Sequence, residues 1–296
     1  MNEHDRLVDR AARDAHTVLF VGGLDAGKST LARAVAAYAL SLGRSVAYLD
    51  GDLGQKTVGP PGTVGLKRIG STDDLTFERL ATADGLAFVG STSPQGHLLP
   101  LVTGMARLHD RALTDGADLV VIDTSGLVSG IYGQLVKYHK VELLRPDLVV
   151  GLQRGEELAP VLGVIERFFS VDVVSLGVHP SVVSTSVEQR AEHRERAMAR
   201  YFDGELNRFR IRPTVFMPAL PPLFELVQLD RLLVGLSDGE GAYSGMGYLE
   251  YLPDEGALRL ISPVADPPKA LRLGSVRLEE SYRAKRVDLR NLFGTE

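Results

Sequence analysis

Between residues 17 and 30 a short apolar run breaks into glycines and then into a helical pattern. Gly22 and Gly27 bracket four residues and are followed by Lys28 and Ser29. This G-x-x-x-x-G-K-[ST] spacing is a phosphate-binding loop. Its glycines let successive backbone amides point at one phosphate, the following helix adds its positive end, and the lysine supplies a mobile cation. The nucleotide-binding candidates are therefore Gly22, Gly23, Leu24, Asp25, Ala26, Gly27, Lys28, Ser29 and Thr30, with the Ser29 hydroxyl offered to Mg²⁺. The loop implies a nucleoside triphosphate but not what is done with it, because switches, transporters, synthetases and kinases all share it.

Two acidic strand ends narrow the chemistry. Residues 45–50 read as a strand ending in Asp50-Gly51-Asp52-Leu53-Gly54-Gln55, which places two carboxylates and an amide where open α/β sheets bind ligands. Residues 118–123, Asp-Leu-Val-Val-Ile-Asp, read as a buried parallel strand carrying Asp123 to the same edge. This is a Walker B pattern, whose carboxylate holds Mg²⁺ or a metal-bound water, and Thr124-Ser125-Gly126 after it can approach a terminal phosphate. An aspartate that only caps the next turn is the plainer alternative. Further on, a helix over 186–202 carries Arg190, Arg194, Arg196 and Arg200, with Arg190 and Arg194 four apart on one face. Two readings stand open: a solvated helix neutralised by Glu188, Glu192 and Glu195, or a lid whose arginines meet a transferring phosphoryl group. The seven histidines show no metal-ligand spacing, and His97, nearest a ligand edge, reads as structural.

The elements that must position these residues alternate. After a polar helix over 1–16, the pattern gives a strand into the phosphate loop, a helix over 28–42 and the strand at 45–50. An irregular segment over 55–70 carries Gly59-Pro60-Pro61-Gly62. A third strand at 85–90, helices near 98–115, 131–144 and 156–169, and strands at 147–153 and 171–176 continue the alternation. This predicts an α/β fold, a P-loop NTPase parallel sheet with helices on both faces. From about 213 the pattern changes to short apolar strands separated by turns, predicting a small C-terminal all-β domain, a barrel or sandwich, with a basic tail at 283–290. The expected organisation is a P-loop kinase domain with an arginine lid helix over 1–212 and a β-rich domain over 213–296.

Composition limits the remaining classes. The 296 residues are 44% hydrophobic and 24% charged, ordinary for a globular protein. No apolar run approaches the roughly 20 residues of a membrane span, and the charged start lacks a signal-peptide core. The absence of cysteine removes disulfides, thiolate metal sites and thiol nucleophiles. A cytoplasmic location without membrane association is expected. A net charge of −5 argues against a surface coated for nucleic-acid binding, leaving only local basic clusters to supply one.

With these residues in view, the chain resembles the polynucleotide 5′-hydroxyl kinase family that includes the RNA kinases of eukaryotic cleavage-factor and ribosomal-RNA processing complexes, in its compact microbial form. The resemblance spans nearly the whole chain. It rests on 22–30, on Asp50-Gly51-Asp52-Leu53-Gly54-Gln55 with Pro60-Pro61-Gly62-Thr63, on Asp123-Thr124-Ser125-Gly126 with Gly130, on 140–150, on the arginine helix ending Tyr201-Phe202-Asp203-Gly204, and on Val234-Gly235-Leu236-Ser237-Asp238. It implies transfer of the γ-phosphoryl of ATP, with Mg²⁺, to the 5′-hydroxyl of single-stranded or end-exposed RNA, and in some members DNA. By position, it implies that Lys28 grips the β- and γ-phosphates, Ser29 and Asp123 hold the metal, and Asp52 orients or deprotonates the attacking hydroxyl. Arg190 and Arg194 become the lid arginines, and Asp50, Gln55, Thr124 and Leu127 become substrate-side candidates. An aspartate near its reference value of about 3.9 is a weak base, so orientation is the larger part of that role.

The sequence departs from the family pattern twice. Many members carry a substrate-stacking tryptophan where this chain has Leu127, and base stacking is worth roughly 1 to 3 kcal/mol per base. A further lid arginine of animal members falls near Thr185, leaving that charge absent or supplied by Arg196 or Arg154. Two other functions fit the same residues: an ATP-binding scaffold with little kinase activity, and a P-loop kinase for a small hydroxylated metabolite.

Overall fold

The first strand is apolar throughout because it lies at the centre of a covered sheet. In the computed structural model, which describes residues 2–294, β1 (Thr17–Gly22) is buried at every position and lies between two parallel neighbours. Ahead of it, α1 (Glu3–Asp14) starts at Asn2, whose side chain accepts the Asp5 amide in a capping box. The chain then runs α2 (Lys28–Ser41), β2 (Val46–Gly51), β3 (Thr63–Ile69), α3 (Phe77–Leu80), β4 (Gly85–Phe88), α4 (Leu98–Thr114) and β5 (Leu119–Thr124). Next come α5 (Gly130–Leu144), β6 (Leu148–Gln153), α6 (Ala159–Phe168), β7 (Asp172–Gly177) and α7 (Val187–Tyr201).

The parallel core has the order β2-β5-β1-β6-β7. On one face, Leu7, Ala11, Leu31 and Val35 of α1 and α2 pack against Phe20, Tyr48 and Val121. On the other, Met105, Val136, Val141 and Ile165 of α4, α5 and α6 pack against Leu19, Leu49 and Ile122. Each fully buried Val or Leu here is worth about 1.5–3 kcal/mol relative to exposure. Register then does the positioning, because β2 and β5 pair Asp50 with Asp123 and Gly51 with Thr124. The two acidic strand ends finish side by side.

One expectation needs correction. The segment expected to be irregular over 55–70 contains β3, which runs antiparallel to β2, pairing Asp50 with Gly65. The strand expected at 85–90 is β4, which is antiparallel to β3 and so runs in the direction of β2, separated from the parallel core by β3. The glycine–proline run before Thr63 hides a strand that needs only a hairpin-like return, and it adds an antiparallel edge to the parallel core.

The remaining strands are β8 (Asn207–Ile211), β9 (Phe216–Met217), β10 (Leu232–Ser237), β11 (Tyr243–Leu252), β12 (Ala257–Ser262), β13 (Ala270–Leu278) and β14 (Ala284–Arg286), followed by α8 (Leu289–Phe293). They form an extra β unit whose own core includes Leu229, Val234, Leu249, Leu260 and Leu271. Strand β8 lies ahead of residue 213 yet pairs with β12, and β11 joins the unit to the main sheet by pairing Tyr243 with Leu86 of β4. The C-terminal end of α7 is built into this unit. Phe202 stacks on Tyr282 with ring centroids 5.4 Å apart, and the Tyr201 hydroxyl accepts the Met246 amide at 2.8 Å. Among the described residues no helix is long and apolar enough to cross a membrane.

Candidate active site

The phosphate loop turns because glycine stands where no other residue fits. Gly27 sits at φ +88° as the N-cap of α2, and a Cβ on Gly22 would stand 2.7 Å from the Leu152 carbonyl oxygen of the neighbouring strand. A cavity of about 460 Å³ opens over this loop. Leu24, Asp25, Ala26, Gly27, Lys28, Ser29 and Thr30 line it from the loop, and Asp52, Gln55, Thr124 and Gly126 line it from the two acidic strand ends. Residues 181–183 complete its lining.

Lys28 is 8% exposed, and its Nζ donates to the Gly23 carbonyl at 2.7 Å. Burial lowers its ammonium below the ordinary lysine value, while Asp123, Asp52 and Asp25 pull the other way. The Ser29 hydroxyl donates to Asp123 Oδ2 at 2.5 Å, and the buried Tyr48 hydroxyl reaches the same oxygen at 3.3 Å. Burial and the adjacent Asp50 push the Asp123 carboxyl above its usual range. The Ser29 hydroxyl and the Asp123 carboxylate would suit Mg²⁺, a hard cation that proteins hold through one or two oxygen ligands beside substrate phosphates. Among the described residues no cluster of three His, Cys, Asp or Glu side chains forms a metal cage. Ser125 Oγ, two residues beyond Asp123, is buried without a hydrogen-bond partner and stands outside the cavity lining. The residues present therefore fit a magnesium–nucleotide complex.

The carboxylates of the second strand do different work. Asp50 has no exposed surface and is fully engaged: Oδ1 accepts the Asp52 amide at 2.8 Å, Oδ2 accepts the Thr57 and Val58 amides at 2.6 and 2.8 Å, and Lys56 Nζ lies 3.1 Å away. It builds the turn and stands outside the cavity lining. Asp52 uses Oδ1 to accept the Gly54 and Gln55 amides at 2.8 and 3.0 Å, so its carboxylate is fixed at the cavity wall. Thr124 is almost fully buried, its hydroxyl donating to the Phe20 carbonyl at 2.7 Å. Leu127 is half-buried and outside the lining.

The arginine helix crosses beside this cavity. Arg190 Nη1 lies 3.4 Å from Asp25 Oδ2 and donates to the Thr185 carbonyl, while the Gln55 side chain donates to the Arg190 carbonyl at 3.2 Å. Arg194 lies against Gly54; burial lowers its guanidinium, Arg190 adds to that, and Asp52 opposes it. Of the two arginines considered for the missing lid charge, Arg196 is exposed and paired with Glu192 at 3.1 Å. Arg154 instead reaches the phosphate loop, donating to the Asp25 carbonyl at 2.6 Å and the Leu24 carbonyl at 3.4 Å. His97 binds Ser275 at 2.9 Å and the Gln95 carbonyl at 3.1 Å, away from the loop.

Sequence reasoning gave no role to two lysines beneath the site. Lys137 and Lys140 of α5 have no exposed surface. Lys137 donates to Thr124 Oγ1 at 2.8 Å and the Ser125 carbonyl at 2.7 Å. Lys140 points at the Gly51 carbonyl at 3.5 Å. Burial takes Lys137 well below the ordinary value, with Lys140 and Lys28 adding to that, and it brings Lys140 to about 8 against the pull of Asp52 and Asp50. The signal was present as two lysines inside the apolar stripe Gly133, Val136, Val141 and Leu144, positions where an ordinary helix carries core residues.

A family model described as "mRNA cleavage and polyadenylation factor CLP1 P-loop" matches residues 22–204. A polyribonucleotide 5′-hydroxyl-kinase of Thermococcus kodakarensis is 30% identical over 317 residues, covering 89% of this chain and 88% of the relative. One of Pyrococcus horikoshii is 28% identical over 248 residues, covering 65% of this chain and 67% of the relative. The solved structure of a wild-type Clp1p–Pcf11p complex shares the fold, with a TM-score of 0.72 at 15% identity over 93% of this chain and 77% of that one. Because the family match runs from the first glycine of the phosphate loop to just past α7, and 30% identity is sustained along 89% of the chain, the protein belongs to the CLP1 P-loop family.

Proposed function

We propose that the protein is an ATP-dependent polynucleotide 5′-hydroxyl kinase, transferring the γ-phosphoryl of ATP to the 5′-hydroxyl end of RNA, and of DNA where the sugar is tolerated. The observation that carries this reading is the shared cavity, in which the Asp52 carboxylate faces the same space as Lys28 and Ser29. The polyribonucleotide 5′-hydroxyl-kinase names of the archaeal relatives support RNA as the acceptor.

In this mechanism the loop amides and Lys28 hold the β- and γ-phosphates. Ser29 and Asp123 would hold Mg²⁺, which neutralises phosphate charge when bound. Asp52, anchored by the Gly54 and Gln55 amides, accepts a hydrogen bond from the 5′-hydroxyl and aligns its oxygen with the γ-phosphorus. The new O–P bond forms as the β–γ bridging P–O bond breaks, the hydroxyl proton passes to Asp52, and ADP leaves. Arg190 and Arg194 approach from α7 to neutralise the equatorial oxygens, a role that requires placement rather than covalent chemistry.

The test is transfer of labelled γ-phosphate from ATP to matched 5′-hydroxyl RNA and DNA oligonucleotides, with a 5′-phosphorylated control. Labelling of hydroxyl ends alone is expected. ATP binding without any labelling would favour the scaffold, and labelling of a small hydroxylated acceptor in its place would favour the metabolite kinase.

A further inference from the structure

Helix α7 has a second working face. Arg190 meets Asp25 of the phosphate loop and Arg194 lies against Gly54, whereas His193, Arg196, Ala197 and Arg200 follow one helical stripe and border a groove beside the turn after Asp52. The opposite wall of that groove is residues 54–57 with Phe77. It continues past Arg200 into a depression of about 350 Å³. Gln55 borders both the groove and the cavity over the phosphate loop, so the two spaces meet at the turn that fixes Asp52.

Phe77 is the unusual residue in this wall. It is the first residue of a four-residue helix, is 46% exposed, and lies under the Arg200 guanidinium, 5.4 Å from the ring centroid. The phosphate-transfer chemistry uses neither side chain. An exposed aromatic face beside a planar cation is a combination that stacks a nucleobase and meets its phosphate. Lys56 is buried against Asp50 and Arg196 pairs with Glu192, which leaves Arg200 as the cation lining the groove without such a pair, with Glu78 in the adjoining depression. The rise from Arg190 to Arg200 is about 15 Å along the helix, enough for a few nucleotides of extended strand.

We propose that this groove carries the acceptor strand downstream of its 5′ end, with a base stacked at Phe77 and Arg200 and the backbone led along His193 and Arg196. The inference rests on the kinase reading above and adds a binding site to it. It also gives the chain an aromatic platform of its own, separate from position 127.

The experiment compares acceptor lengths. Wild type, Phe77→Ala, Phe77→Trp and Arg200→Ala are assayed with a 5′-hydroxyl dinucleotide and a 5′-hydroxyl twelve-nucleotide RNA. Phe77→Ala is expected to raise KM for the longer acceptor by roughly five- to a hundredfold, the worth of one stacked base, with kcat and the dinucleotide KM unmoved. Phe77→Trp keeps KM for the longer acceptor at or below the wild-type value. Arg200→Ala lowers the salt dependence of log KM for the longer acceptor by about 0.7, the single-strand value for one phosphate contact. Equal KM values for wild type and Phe77→Ala on the longer RNA, or equal losses on both lengths, overturn the groove and leave the kinase standing. A wild type that phosphorylates neither RNA overturns the kinase reading and the groove with it.

Discussion

Asp25 and Thr185 are joined twice across 160 residues of sequence: the Thr185 amide donates to Oδ2 at 2.8 Å and its hydroxyl to Oδ1 at 3.2 Å. The loop that cradles phosphate and the strap that leads into α7 thus share one carboxylate, which Arg190 also approaches. At the other end Tyr201 and Phe202 fix α7 in the β unit. The arginine helix is held at both ends, and its placement beside the cavity depends on Asp25 as much as on its own sequence.

Asp25 sits at φ +49°, a conformation glycine adopts without strain, so Asp25→Gly should release the N-terminal end of α7 while leaving the loop amides in place. The expected result is a fall in kcat of about tenfold to a hundredfold from misplaced arginines, with a much smaller change in ATP affinity. Limited proteolysis should show faster cleavage across residues 178–186. Faster cleavage with unchanged kcat would mean that the tether is not needed for transfer.

Asp52→Asn tests the acceptor side alone. An asparagine carbonyl still accepts the Gly54 and Gln55 amides, so the turn should survive while the negative charge is lost. Transfer should fall by about 10²- to 10⁴-fold, the usual range for a positioned acid–base group, and ATP affinity should stay within about twofold. Wild-type transfer rates in this variant would remove Asp52 from the mechanism.

Lys140 makes a prediction about stability. Burial holds its ammonium at about 8 in the folded protein, below the ordinary 10.5. Between those values the unfolded chain binds more protons than the folded one, so stability rises with pH across this window, and the cost of burying the charge is fully present below about pH 8. Lys140→Met lacks the group. Denaturant unfolding of both proteins from pH 7 to 10.5 should show wild type gaining on the variant by up to about 3 kcal/mol as pH rises. A difference that stays flat with pH would show that Lys140 titrates near its ordinary value in the fold.

These relationships mark what could be read in the sequence. The phosphate loop, Asp52 and Asp123 were legible because each is a local motif at the end of an apolar strand. Their meeting was not local: it depends on the order β2-β5-β1 and on the register that pairs Asp50 with Asp123. Strand β3 was hidden by the glycine–proline run before it and by Lys67 and Arg68 near its end. The i, i+4 spacing of Arg190 and Arg194 was visible, but their partners were not, since Asp25 and Gly54 come from distant turns. Lys137 and Lys140 were overlooked because helical periodicity marks a buried face without saying that a buried cation belongs there.

Position 127 separates the two candidate stacking sites. Leu127 is half-buried just after Gly126, where a Cβ would stand 2.7 Å from the Leu24 amide nitrogen, so the loop is held against the phosphate loop while its next side chain retains solvent exposure. A larger ring can be placed there without opening the core. Leu127→Trp should therefore add a stacking face near the 5′ end and lower KM by roughly five- to a hundredfold for the dinucleotide and the longer RNA alike. Phe77→Ala should act on the longer RNA only, and the two changes should add because they touch different bases. Unchanged KM for both acceptors in Leu127→Trp would show that the terminal base does not pass this loop, leaving the groove beside α7 as the main grip on the strand.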